Sequence, residues 1–151
     1  MRTYLLWYKG GDRLTDRLIR RFDGGNYSHV EIAIRGVDGK SWRVISASKR
    51  DNHQVRVRTL TPNPDHWDLM VLDEDFPMEP FLKAATKLGQ SYDTLGAVLS
   101  ITPLGRKRNK TDSTHCSALV GYALGIPEYW RLSVRELEYE IQHRFDARML
   151  G

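Results

Sequence analysis

A single cysteine, Cys116, stands among 151 residues. One thiol cannot close an internal disulfide, so a disulfide-stapled scaffold is excluded and the chain suits a reducing compartment. No stretch approaches the roughly 20 consecutive apolar residues that span a bilayer. The apolar part of residues 1–10 is too short for a secretory signal, and the expectation is a soluble, cytoplasmic protein. Metal-ligand spacings are missing as well. Neither Cys-x-x-Cys nor His-Glu-x-x-His occurs, which leaves Asp65-His66-Trp67-Asp68 and the pair His115-Cys116 without a ligand pattern, and no metal or cofactor is expected. Repeats, low-complexity tracts and long linkers are also lacking, so residues 1–151 are expected to form one domain.

What is present is ordinary for a globular protein: 40% hydrophobic and 28% charged residues, in a chain long enough to bury a core. The formal net charge is +4, and clustered cations attract polyanions. One dense run, Arg106, Lys107, Arg108 and Lys110, is the candidate surface for nucleic acid, with a solvated loop as the competing reading. Arg17, Arg20, Arg21, Arg56 and Arg58 are spread over other elements.

Hydrophobic periodicity orders the elements. Residues 3–8 read as a strand, and residues 13–22 as a helix with Leu14, Leu18, Ile19 and Phe22 on one stripe, capped by Asp12 and ended at Gly24. Residues 27–34 alternate strictly, which puts His29, Glu31 and Ala33 on one face and Val30, Ile32 and Ile34 on the other. Asp38-Gly39 is a two-residue hairpin signal, and residues 41–48 return. That turn pairs Val37 with Lys40, hence Ala33 with Val44, Glu31 with Ser46 and His29 with Ser48. Strands follow at 54–60 and 67–72. Helices are expected at 80–88, stopped by Gly89; at 94–101; at Cys116 up to Gly125; and from a Ser133–Glu136 capping box to Arg144. Residues 102–114 read as a polar loop. Strands early and helices late argue α+β.

The chemistry gathers on few residues. Cys116 opens an apolar run directly after the turn-rich segment 110–115, which places its thiol at a helix N-terminus, where the positive end of the helix dipole favours thiolate. A nucleophilic cysteine needs a base, and the base needs a third group to hold its ring. His29 is the candidate base, Glu31 or Ser46 the orienting group, and the N–H groups that open the Cys116 helix the oxyanion donors. The competing reading makes Cys116 a small core residue, His29 a satisfied strand residue and Glu31 a solvated one.

The order Tyr27-Ser28-His29, Val44-Ile45-Ser46-Ala47-Ser48, Val55-Arg56-Val57-Arg58, Gly89-Gln90-Ser91-Tyr92-Asp93 and Cys116-Ser117 resembles the circularly permuted NlpC-type papain-like hydrolases. That group includes the YiiX-like and lecithin:retinol acyltransferase-like proteins. Residues 27–31 and 46–51 are most similar to the small versions carried by tailed bacteriophages and prophages, and the resemblance spans about residues 20 to 125. It implies a permuted papain-like α+β fold, with an antiparallel sheet in which the His strand precedes the Cys helix. It also implies a cysteine peptidase or amidase acting on a peptide or cell-wall-type amide, or a thioester-forming acyltransferase acting on lipids, with Cys116 as nucleophile and His29 as base. For a phage-encoded chain the compartment is the host cytoplasm. The chain departs from the pattern at Ser46, where many relatives carry an acid, and a degenerate, non-catalytic binding protein is the reading that departure favours. Asp93 matches a Tyr-Asp pair of the relatives, and no family role carries over to His115.

Overall fold

In the computed structural model, which describes residues 1–11, 13–49, 52–72 and 77–150, the chain is α+β. Strands β1 (Thr3–Tyr8), β2 (His29–Arg35), β3 (Trp42–Ser48), β4 (Gln54–Leu60), β5 (Trp67–Val71) and β6 (Arg148–Leu150) form one sheet in the order β4-β3-β2-β1-β5-β6, with every pairing antiparallel. Among the described residues there are five α-helices: α1 (Leu14–Asp23), α2 (Glu79–Ala85), α3 (Thr94–Ser100), α4 (Cys116–Ala123) and α5 (Val134–Arg144). They differ from expectation only at their ends; α2, for example, stops at Ala85 and continues as turns to Gly89, whose φ is +84°. Three elements were not expected. Residues 103–107 of the polar loop and Tyr129–Arg131 wind into 3₁₀ turns, and β6 adds a three-residue edge strand to β5.

The β2–β3 hairpin keeps the expected register, with Ala33 opposite Val44 and Ile32 opposite Ile45. Its loop is longer than two residues. Gly36 N–H donates to Ser41 C=O at 2.8 Å, and Asp38 Oδ1 accepts from the N–H groups of Lys40 and Ser41. One residue is added on each side of Asp38-Gly39, so the pairing beyond it is unchanged.

Val30, Ile32, Ile45, Ala47 and Val55 face the main core. Against them pack α4, through Leu119 and Val120, α2, through Phe81 and Ala84, and α5, through Leu137 and Ile141. Helix α4 is apolar on nearly every side, and every residue of it except Tyr122 is buried, as such a helix must be. The opposite face of the sheet is not simply polar: Leu6, Ala33, Trp42 and Val44 form a second, smaller apolar cluster there. The α1 stripe is a correction. Leu14 is 72% exposed and Phe22 67% exposed, so this face meets a cleft and solvent rather than the core. Helix α1 is tethered by polar contacts instead: Ser28 Oγ donates to Asp16 Oδ1, Arg20 to the Lys9 carbonyl, and Arg135 N–H to Asp23 Oδ2. The cap assigned to Asp12 and the residues Arg50 and Asp51 lie outside the described residues, and of Arg106 only the backbone is described.

Candidate active site

His29 begins β2, beside Tyr8 at the end of β1. Cys116 is the first residue of α4, which packs on β2 and β3. The segment ahead of α4 is held to the sheet by backbone hydrogen bonds that sequence periodicity does not reveal. Tyr92 N–H donates to His53 C=O at 2.7 Å, Thr114 N–H to Ser91 C=O at 3.0 Å and Asp93 N–H to Thr114 C=O at 2.8 Å. These bonds splice residues 91–92 and 114 onto the start of β4 and deliver Cys116 to the end of β2.

All four residues singled out from the sequence meet there. The imidazole Nε2 of His29 lies 3.1 Å from Glu31 Oε1 and 3.2 Å from Ser46 Oγ. A carboxylate can only accept, so Nε2 carries the proton and shares it between the two oxygens. Nδ1 is left for the thiol, and His29 and Cys116 line the same cleft, each favouring the other's charged form. Glu31 is 1% exposed and Ser46 is fully buried, which overturns the solvated reading of Glu31.

The electrostatics follow from that packing. Burial raises the Cys116 thiol, but His29, with the backbone N–H groups of Val30 and Ser117, outweighs it and brings the thiol below its ordinary value. Burial by itself would lower His29; the Cys116 sulfur and the Glu31 carboxylate outweigh it and push the imidazole up to about 10. Glu31 is lowered in spite of burial, because His29 and Arg58 both favour its charge. Arg58 is the residue that sequence reasoning passed over: its Nη2 donates to Glu31 Oε1 at 2.6 Å. The available signal was the alternation of Val55-Arg56-Val57-Arg58, which puts both arginines on one face of β4.

The site opens into a cleft of about 530 Å³. Its walls are Leu18, Ile19 and Phe22 of α1 on one side and Ala97, Val98 and Ile101 on the other, which is where the exposed stripe of α1 finds its use. Tyr92 also lines the cleft, and burial followed by the charges of Cys116 and Asp93 raises its phenol, so it stays protonated beside the thiol.

Three candidates have other duties. Asp93 caps α3, its Oδ1 accepting from Gly96 N–H at 2.7 Å, while Oδ2 pairs with Arg108. Arg108 is thereby drawn out of the basic loop. His115 is 2% exposed, donates from Nε2 to the Leu132 carbonyl at 3.1 Å and is kept neutral by burial. Of the Asp65–Asp68 segment, Asp68 accepts from Lys9 and from the Tyr27 hydroxyl; among the described residues no group of three or more His, Cys, Asp or Glu could hold a metal ion. No helix among the described residues is long and apolar enough to cross a membrane. Neither the protein-family models nor the curated proteins contain a match to this chain.

Proposed function

We propose that this chain is a cysteine hydrolase, an amidase or peptidase with the permuted papain-like, NlpC-type arrangement, that cleaves a peptide or cell-wall-type amide through a thioester on Cys116. The observation that carries the reading is that Cys116, His29 and Glu31 line one apolar-walled cleft, with the His29 ring held by Glu31. A buried cysteine serving only as core has no use for a cleft shared with an imidazole held by a buried carboxylate. In this reading the thiolate attacks the carbonyl carbon, and N–H groups at the start of α4 receive the oxyanion. The His29 imidazolium then protonates the departing amine from Nδ1, leaving the thioester. Water, giving its proton back to His29, releases the acid and restores the thiol. Glu31 and Ser46 hold the ring from Nε2. The cleft walls favour a second acceptor: an alcohol or amine in place of water makes the same thioester an acyl-transfer intermediate.

Alkylation by iodoacetamide across pH tests the nucleophile without a known substrate. Cys116 is expected to label in the folded protein with a midpoint below the ordinary thiol value of about 8.5, and Cys116→Ala to abolish amide or thioester turnover while leaving the circular dichroism spectrum unchanged. A midpoint at the ordinary value, or labelling only after unfolding, returns Cys116 to the core.

A further inference from the structure

The site holds one more charge than a cysteine, a base and an orienting acid require. Arg58 reaches from β4, two strands away from β2, and places Nη2 2.6 Å from Glu31 Oε1, the same oxygen that receives His29 Nε2–H. The Glu31 side chain is fully buried, and its Oε2 has no hydrogen-bond partner among the described residues. Such a carboxylate is not held ionised by a single imidazole without cost. From this geometry, and resting on the reading of Cys116 as the nucleophile, we propose that Arg58 is a positioning residue whose charge makes thiolate formation neutral in net charge within the buried cluster.

With Arg58 present, thiol, imidazolium, carboxylate and guanidinium sum to +1, and loss of the thiol proton brings the cluster to zero. Without Arg58 the same proton loss takes it from zero to −1 in a desolvated place, and Cys116 keeps its proton to a higher pH. Other ionisable groups surround the cluster. Arg13 and Lys49 line the open cleft, and Asp16 faces it from α1 while accepting from Ser28. Arg56 shares the β4 face but is exposed. Tyr8 from β1 lines the cleft, as do the protonated Tyr92 and the neutral His115. None of these makes a hydrogen bond to Glu31 among those the structure gives that carboxylate, whereas Arg58 does.

The experiment measures the iodoacetamide midpoint of Cys116 in four proteins, each checked for folding by circular dichroism. Arg58→Gln is expected to raise the midpoint by about one pH unit or more. Glu31→Gln combined with Arg58→Gln restores the count of the native cluster, and its midpoint returns close to the native one. Glu31→Gln alone, at +2 before proton loss, has the lowest. A merely structural arginine would not produce that order, because the double variant would then be at least as disturbed as either single one. Should Arg58→Gln not fold, the test rests on Glu31→Gln lying below the double variant. A native midpoint at the ordinary thiol value defeats the reading of Cys116 itself. A low native midpoint that Arg58→Gln leaves in place, or equal midpoints in Glu31→Gln and the double variant, overturns the role of Arg58 alone.

Discussion

At the residue scale the open choice is which oxygen supports His29, since Glu31 and Ser46 lie within 0.1 Å of the same distance from Nε2. Distance does not separate them; charge does. Glu31 is an ionised, fully buried carboxylate, able to stabilise the imidazolium that forms when the thiol gives up its proton, and a neutral hydroxyl is not. Glu31→Gln is therefore expected to lower turnover by about 100-fold or more, in the range of positioned acid–base groups. Ser46→Ala removes one neutral hydrogen bond and is expected to cost no more than about tenfold. Kinetics in which Ser46→Ala is the more damaging change would assign the orienting role to the β3 position. The pH profile has a definite sign. His29 is raised, so the imidazolium is present below its pKa and lost as pH climbs through about 10; Cys116 is lowered, so the thiolate is already present below the ordinary thiol range. Turnover should be bell-shaped, with its acid limb below about 8.5 and its alkaline limb near 10, and a loss of rate between pH 7 and 8 would contradict the ion pair.

At the scale of elements, the contrast between α1 and α4 separates stability from binding. Leu119 of α4 is 1% exposed in the main core, and Leu119→Ala is expected to cost about 2–5 kcal/mol in urea denaturation. Leu18 of α1 is 41% exposed on the cleft wall. Leu18→Ser should change stability by no more than about 0.5 kcal/mol, while raising KM for substrates with an apolar acyl group. The hairpin shows what sequence order does reveal. Alternation along β2 and the Asp38-Gly39 turn were enough to put Glu31 and Ser46 beside His29, because pairing across a short loop is a local property. Arg58 was not legible in the same way: β4 reaches the face of Glu31 only through the register of β3 with β4, Val44 opposite Arg58. Nor was the use of the α1 stripe. Periodicity tells which side chains share a face, not what that face meets, and Leu18, Ile19 and Phe22 meet a cleft whose other wall, Ala97, Val98 and Ile101, lies far along the chain.

Over the whole molecule, the formal excess of +4 is less available to a polyanion than a count of lysines and arginines suggests. Lys9 is paired with Asp68, Arg58 with Glu31, Arg131 with Glu128, and Arg144 with Glu140. The basic loop is itself divided. Arg108 turns inward to Asp93, with the two side chains 13% and 9% exposed, and its carbonyl accepts from Trp130 and Arg131. Lys110 stays outside, its ammonium 5.6 Å from the centre of the Tyr129 ring, and Lys107 is exposed. Arg108 and Lys110, two positions apart in sequence, thus have opposite relations to solvent. Arg108→Gln leaves Asp93 half-stripped of partners at the cap of α3 and is expected to cost about 3 kcal/mol of stability, without changing the salt at which the folded protein leaves a heparin column. Lys107→Ala with Lys110→Ala is expected to do the reverse, lowering the elution salt at nearly constant melting temperature, because surface cations act through counterion release and contribute little to folding. If Arg108→Gln instead lowered the elution salt as far as the double lysine variant does, the guanidinium would be facing the polyanion rather than Asp93, and the run from Arg106 to Lys110 would act as one surface.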